Sequence, residues 1–173
     1  MKAVLISIQP KWCELIASGK KTVEVRKTRP ELETPFKVYI YQTKKTWVYN
    51  IFSKIADWQG KVIGEFVCDK IFVADCDSVA PFDKHTKRYI DKESCLSKEE
   101  FVKYTRMCLA YGWSISNLVI YDEPKELCEF RSASTYGREL RTKFFGKDPC
   151  CVNDYRLSRP PQSWCYVEGV ETE

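Results

Sequence analysis

The sequence predicts a mixed α and β fold in one domain, and three observations lead to this prediction. A length of 173 residues with 44% apolar and 30% charged side chains is typical of one globular domain with a hydrophobic core. The chain opens with a strand, a helix and a second strand over residues 2–26. Later segments alternate at the period of a strand and are separated by segments of helical periodicity. We therefore expect a single α+β domain over residues 1–173.

The opening elements follow from their apolar patterns. Residues 3–8 are apolar on both faces, which is typical of a strand that is buried on two sides. Residues 10–18 begin with a proline, which suits the first position of a helix, and carry an apolar stripe at helical spacing. Gly19 can adopt the left-handed conformation that ends a helix, and alternation from Val23 onward predicts the next strand.

The remaining elements are predicted in the same way. Residues 36–42 form a strand with Tyr39 and Tyr41 on one face, and residues 46–58 form a helical insertion. Residues 61–74 form a long strand in which Gly64 is a kink and Glu65 interrupts an apolar run. A capping box begins a helix at residues 97–100, and residues 117–121 and 164–167 are the last strands.

Composition limits the classes of function. A helix needs about 18 apolar residues to cross a membrane, and no apolar run in the sequence approaches this length. The apolar segment at the start is too short for a signal peptide. We therefore expect a cytoplasmic protein without a membrane partner. The nine cysteines include no Cys-x-x-Cys pair, which favours free thiols and predicts neither a metal nor a cofactor. The single histidine, His85, lies in a polar run, so we do not expect it to be a general base.

Residues 131–159 are predicted to form a basic loop. They contain seven arginine and lysine residues against three acidic residues, and this excess equals the net charge of +4 of the whole chain. Low periodicity over such a length is typical of a long surface loop. A positive loop attracts polyanions, but a solvated surface has the same composition, and the sequence leaves both interpretations open.

The strongest candidate for a functional site is the motif Gly19-x-Lys21-x-x-Glu24-x-Arg26. Glu24 and Arg26 alternate with valines and therefore lie on one face of the second strand, and Lys21 lies where the chain enters that strand. An arginine binds a phosphate with two hydrogen bonds, whereas a lysine acts as a movable point charge. The motif thus predicts either an anion-binding site or a salt-bridge network on an exposed surface.

In its position between a helix and a strand, this motif resembles the signature of the ASCH domain family, which belongs to the PUA-like superfamily of small β-barrels. The segments at residues 62–66, 120–124 and 159–164 resemble later parts of the family pattern in the same order, so the resemblance covers nearly the whole chain. It implies a PUA-like mixed β-barrel of about five to six strands with peripheral helices. It also implies a cleft beside the motif in a family thought to bind RNA.

We therefore expect the cleft to bind a nucleotide of RNA or of other single-stranded nucleic acid. Side chains expected to contact this ligand by charge, hydrogen bonding or stacking are Lys21, Glu24, Arg26, Tyr39, Tyr41, Arg159, Gln162 and Trp164.

Two other functions stay open at this point. Some ASCH-like proteins are hydrolases, either ribonucleases or amidohydrolases of N4-acetylcytidine, and here Lys21 would be the base with Glu24 or Glu65 assisting. The amidohydrolases have a threonine at the position of Glu24, so their nucleophile is missing from this sequence. A protein-interaction domain that uses the helix at residues 47–58 is the third possibility.

Overall fold

The computed structural model describes residues 1–44, 55–74, 92–106, 109–133 and 155–170, and the fold is given for these residues. In chain order the elements are β1 (Lys2–Ile8), α1 (Pro10–Ala17), β2 (Val23–Arg26), β3 (Phe36–Gln42), β4 (Val62–Cys68), β5 (Ile71–Ala74), α2 (Lys98–Thr105), β6 (Ala110–Ser114), β7 (Ser116–Lys125), a 3₁₀ helix (Leu127–Glu129) and β8 (Trp164–Glu168). No helix in these ranges is long and apolar enough to cross a membrane.

The strands form two sheets. The larger sheet has the order β7-β4-β3-β1-β8, and the smaller sheet has the order β2-β6-β5. β1 and β3 are parallel, and the other pairs are antiparallel. The α+β class is therefore confirmed, but the expectation of a closed barrel of five to six strands is not met by the described strands. β7 and β8 are at opposite edges of the larger sheet, and no described strand joins them.

The first helix forms and ends as its sequence predicts. Pro10 occupies the first turn of α1, where a missing backbone N–H removes no helical hydrogen bond. Cys13 and Ile16 bury the inner face of the helix against the larger sheet. Gly19 has a φ of +71°, a left-handed conformation that glycine adopts without steric penalty, and the chain leaves the helix there.

Two hydrophobic cores cover the two faces of β1. Val4, Ile6 and Ile8 belong to the larger core, which β3, β4, α1 and Trp113 of β6 complete. The alternating residues Ala3 and Leu5 lie in the second core on the opposite face. Because both faces are covered, the predicted two-sided burial of this strand is confirmed.

The structure divides one predicted strand and describes two predicted segments only in part. Residues 61–74 form β4 and β5, with a break at residues 69–70 between the two sheets. The register of β4 with β7 shifts beside Gly64, where the backbone of Val119 approaches too closely for a side chain. Residues 46–54 of the predicted helical insertion, residues 134–154 of the basic loop and His85 lie outside the described residues.

Candidate functional site

The motif lies where α1 and β2 meet the end of β1. After Gly19, the backbone N–H of Lys21 donates to the carbonyl oxygen of Leu15 at 2.9 Å and keeps the turn against α1. The next N–H, of Thr22, donates to the carbonyl oxygen of Glu93 at 2.8 Å, so the segment before α2 forms the other side of the turn. The segment from Lys21 to Arg26 is therefore held between α1, the end of β1 and the segment before α2.

The structure brings the three charged side chains of the motif together. The Nζ atom of Lys21 lies 3.3 Å from Oε2 of Glu24, and Nη2 of Arg26 lies 2.9 Å from Oε1 of the same carboxylate. The residues are only 3%, 6% and 7% exposed, in the order Lys21, Glu24 and Arg26. A salt-bridge network on an exposed surface is therefore not what this motif forms.

Backbone carbonyl groups hold the two cations in place. Lys21 Nζ donates to the carbonyl oxygen of Ser94 at 2.7 Å, and Arg26 Nη2 donates to that of Ser7 at 2.7 Å. Arg26 Nη1 also approaches Oγ of Ser163 at 3.5 Å. The buried Nε of Arg26 has no hydrogen-bond acceptor among the described residues. A buried donor without a partner is uncommon in folded proteins and calls for an explanation.

These side chains lie at a cleft of about 1180 Å³. Its described lining contains four cationic side chains, of Lys21, Arg26, Lys27 and Lys44, and one carboxylate, of Glu24. The other residues that line it are Ser7, Ile8, Gln9, Trp12, Val25, Thr28, Tyr41, Thr43, Gly60, Leu96, Tyr104, Leu127, Ser158, Pro160, Pro161, Gln162 and Ser163. Cations thus exceed anions in this lining, and aromatic rings are present beside them.

Two pKa shifts describe the surroundings of the motif. Burial raises the pKa of the Cys13 thiol well above its ordinary value, and the nearby Glu24 carboxylate raises it further. Burial also raises the pKa of the Tyr104 hydroxyl, while the positive charge of Arg26 opposes that shift. Both groups are therefore neutral near pH 7, and Cys13 does not supply a thiolate nucleophile. Among the described residues, no group of three or more His, Cys, Asp or Glu residues is arranged to hold a metal ion.

Comparison with known proteins identifies the family. A family model described as the ASCH domain matches residues 6–127, which is more than half of the chain. The chain belongs to the ASCH domain family. This match begins within β1 and contains the motif and every described strand from β2 to β7, so the family resemblance noted from the sequence is confirmed.

Solved structures agree on the fold of this ASCH protein. The crystal structure of ASCH from Zymomonas mobilis is 20% identical, with a TM-score of 0.60 over 96% of this chain and 87% of that one. A serine-to-alanine mutant of that protein is also 20% identical, with a TM-score of 0.59 over 96% of this chain and 88% of its own. A tyrosine-to-phenylalanine mutant of the same protein is 20% identical, with a TM-score of 0.60 over 97% of this chain and 91% of its own. No curated protein matches the chain significantly.

Of the other expected binding residues of this ASCH protein, two line the cleft and two lie next to its lining. Tyr41 and Gln162 line the cleft with the motif. Arg159 and Trp164 are absent from the described lining of the cleft. They flank residues 160–163, which do line it. Trp164 is instead held by a hydrogen bond from its Nε1 to Oγ1 of Thr28 at 3.0 Å, and its ring contacts Trp113 at a centroid distance of 6.0 Å.

Tyr39 is not part of the described lining of the cleft. Tyr39 is completely buried in the second core, where its ring packs edge-on against Phe130 at a centroid distance of 4.9 Å. Its hydroxyl accepts a hydrogen bond from the N–H of Val170 at 2.8 Å and donates to the carbonyl oxygen of that residue at 3.2 Å. The predicted face of β3 was correct, but another part of the chain covers that face.

Glu65, the possible assistant of Lys21 in a hydrolase, lies away from the motif. Its two carboxylate oxygens are bound by Lys37 Nζ at 2.8 Å and by the hydroxyl of Tyr121 at 2.7 Å. Tyr121 packs against the second core, on the side of the larger sheet where Tyr39 lies. Glu65 is absent from the described lining of the cleft, so it has no direct route to a ligand beside Lys21.

Sequence reasoning missed several residues of the cleft. Trp12 of α1 and Tyr104 of α2 are not among the binding residues expected from the sequence, yet both line the cleft. The carbonyl groups of Ser7 and Ser94 bind the motif through backbone atoms, which no residue type reveals. A large aromatic residue on each helix beside a basic motif is the only signal that was available.

Proposed function

We propose that this ASCH protein binds single-stranded RNA, or another single-stranded nucleic acid, by holding one nucleotide in the cleft beside Lys21, Glu24 and Arg26. The observation that carries this proposal is the excess of positive charge in a buried motif. Two cations share one carboxylate at 3.3 and 2.9 Å, so one positive charge has no counter-ion within the motif. Buried charges are costly unless they are paired, and an anionic ligand would supply the missing partner.

Arg26 supplies the most specific ligand contact. Its Nη2 is already bound by Ser7 and Glu24, whereas its Nε is a buried donor without an acceptor in the described structure. A phosphate oxygen or a base carbonyl oxygen is the kind of acceptor that an arginine donor recognises. Each oxygen of Glu24 already forms an ion pair with a cation. These contacts support an orienting role for Glu24 rather than acceptance from an exocyclic amine.

The size and composition of the cleft fit a nucleotide in a longer strand. Small-molecule pockets typically occupy about 300–1,000 Å³, and this cleft, at about 1180 Å³, has room for more than a single small ligand. Lys27 and Lys44 add positive charge along the lining, and Trp12 and Tyr104 add aromatic surface. Basic and aromatic residues together are typical of sites that bind single strands without a fixed sequence. Membership of the ASCH family supports the same class of ligand.

The contacts of Lys21 weigh against the hydrolase alternative. A general base needs a nitrogen lone pair that points at a substrate proton. Here Nζ donates to the carbonyl oxygen of Ser94 at 2.7 Å and lies 3.3 Å from Glu24, so its contacts are with protein atoms. Glu65, the other proposed assistant, is held by Lys37 and Tyr121 away from the cleft. We therefore favour a binding module over an enzyme.

The test is a salt titration of RNA binding. Fluorescence anisotropy of a labelled, unstructured RNA would be measured with wild type, Arg26→Ala, Arg26→Lys and Lys125→Ala over a range of salt concentrations. Lys125 is the control because its loss removes the same charge outside the described cleft lining. We expect Arg26→Ala to weaken binding several-fold and to reduce the salt slope by about 0.7, the value for one phosphate contact on a single strand.

Two controls separate binding from folding and from catalysis. Arg26→Lys keeps the charge without the Nε donor, so we expect weaker binding with a salt slope close to that of wild type. Circular dichroism of each variant verifies that it is folded. Equal affinity of wild type and Arg26→Ala, or no RNA binding by wild type, would overturn the proposal. Cleavage of the RNA, or release of acetate from N4-acetylcytidine, would instead establish the hydrolase.

A further inference from the structure

Tyr104 is the most exposed aromatic residue of the cleft. Three aromatic residues belong to the described lining, namely Trp12, Tyr41 and Tyr104. Tyr104 is 37% exposed, whereas Tyr41 is 4% exposed and Trp12 is only partly exposed. A partly exposed aromatic side chain in a basic cleft offers a surface on which an unpaired base can stack.

The helix that carries Tyr104 is capped at its start and packed against the strand of the motif in its middle. At its start, Oγ of Ser97 accepts from the N–H of Glu100 at 3.1 Å, and the Glu100 carboxylate accepts in return from the N–H of Ser97 at 3.0 Å. Phe101, one turn before Tyr104, is buried against Val25 of β2. The ring is therefore presented by a helix packed directly on the strand of the motif, so stacking on it requires little ordering of the protein.

The hydroxyl end of Tyr104 and its ring face different surroundings. Burial raises the pKa of the hydroxyl, whereas the charge of Arg26 and a hydrogen bond with its side chain oppose that shift. Lys27 places its Nζ 5.2 Å from the centroid of the ring, and it lines the cleft as well. Tyr104 thus lies between the buried motif and a partly exposed aromatic surface that has the ammonium group of Lys27 beside it.

We propose that Tyr104 is the base-stacking residue of the cleft and that Lys27 binds the phosphate next to the stacked nucleotide. This inference rests on the proposed function and names its ligand more closely, as an unpaired base inside a single strand that is at least a dinucleotide. A base in a duplex is covered on both faces by its neighbours and cannot lie on the ring. A free nucleotide lacks the adjoining phosphate that Lys27 would bind.

The pair of Lys27 and Tyr104 has a matched control pair elsewhere in the structure. Lys125 places its Nζ 5.0 Å from the centroid of Tyr121, which is nearly the geometry of Lys27 and Tyr104. Neither Lys125 nor Tyr121 belongs to the described lining of the cleft. Lys125→Ala therefore removes a lysine of the same charge from a similar aromatic contact at a different place.

The experiment combines protein variants with abasic RNA. Anisotropy would be measured for a single strand of about ten nucleotides, within the usual range of site sizes, and for a series in which each position in turn lacks its base. Wild type, Tyr104→Phe, Tyr104→Ala, Lys27→Ala and Lys125→Ala would be compared, with a duplex of the same sequence and a mononucleotide as competitors.

The expected results differ between the variants. Tyr104→Phe keeps the ring and binds within about twofold of wild type, whereas Tyr104→Ala loses about tenfold or more. Removing the stacked base weakens binding to wild type but not to Tyr104→Ala, because the two changes delete one interaction. Lys27→Ala reduces the salt slope by about 0.7, and Lys125→Ala leaves it unchanged. The duplex and the mononucleotide compete weakly.

Failure of this inference can be told apart from failure of the proposed function. If wild type binds the single strand and Tyr104→Ala binds it equally well, Tyr104 is not a stacking residue and the inference is overturned. Equal competition by the duplex, or an abasic penalty that persists in Tyr104→Ala, would overturn it too. If wild type does not bind RNA, the proposed function and this inference are both overturned.

Discussion

Replacing Glu24 by glutamine tests the electrostatic centre of the motif. Glutamine keeps the shape of the side chain and one carbonyl oxygen, but it removes the negative charge between Lys21 and Arg26. Both cations then remain buried beside a neutral amide. Because all three residues are at most 7% exposed, water cannot replace the lost counter-charge without rearrangement.

The distances in the structure set the expected magnitude. At an effective dielectric constant of about 20, charge separations of 2.9 and 3.3 Å correspond to attractions of about 6 and about 5 kcal/mol. These are gross values, because burying the carboxylate itself opposes them. Removing one partner from a buried ion pair lowers the free energy of unfolding by about 3–5 kcal/mol, and we expect a loss in this range for Glu24→Gln.

Urea unfolding followed by tryptophan fluorescence measures this loss, since Trp113 is completely buried in the larger core. Glu126→Gln is the matched control, because Glu126 lies 2.9 Å from Lys61 but its side chain is 56% exposed, against 8% for Glu24. Exposed pairs contribute about 0–1 kcal/mol, so the control should unfold almost as wild type does. If Glu24→Gln loses no more stability than Glu126→Gln, the electrostatic account of the motif is refuted.

Two further predictions concern residues away from the motif. Tyr39→Phe removes the hydroxyl that binds both backbone groups of Val170, so we expect a loss of about 1–2 kcal/mol in urea unfolding with unchanged RNA affinity; weaker RNA binding would contradict the placement of Tyr39 in the second core. Burial raises the pKa of the Cys68 thiol from its ordinary value of 9.0 to about 12, so the folded state keeps a proton that the unfolded chain releases. This contribution is complete below pH 9 and is lost as the pH rises toward 12. Wild type should therefore lose stability above pH 9 more steeply than Cys68→Ala, and parallel pH profiles from pH 8 to 10 would contradict the expectation.

Local sequence rules were enough to place the elements around the motif. Gly19 ends α1, and strand alternation puts Glu24 and Arg26 on one face of β2, because both effects depend on residues close together in the chain. The capping box at Ser97 and Glu100 was likewise readable, since its two hydrogen bonds join neighbouring residues. The family signature is also local, because it lies in residues 19–26.

Local sequence patterns did not predict which strands pair with one another. The larger and the smaller sheet remain separate in the described chain, although a run of strands with the same patterns would suit a closed barrel. A strand pattern gives the residues that share a face, but the partner strand is chosen by contacts between distant segments. Tyr39 shows the consequence, because its face was correct and its neighbour, Phe130, lies 91 positions further along the chain.

The sequence by itself therefore determined the α+β class, the family and the identity of Lys21, Glu24 and Arg26 as one group. Only the tertiary structure decided that this group is buried, that Ser7 and Ser94 hold its cations by their carbonyl oxygens, and that Tyr104 stands beside it. The physical reason is range: periodicity and capping act over a few residues, whereas burial and electrostatic environment depend on every segment that folds around a site.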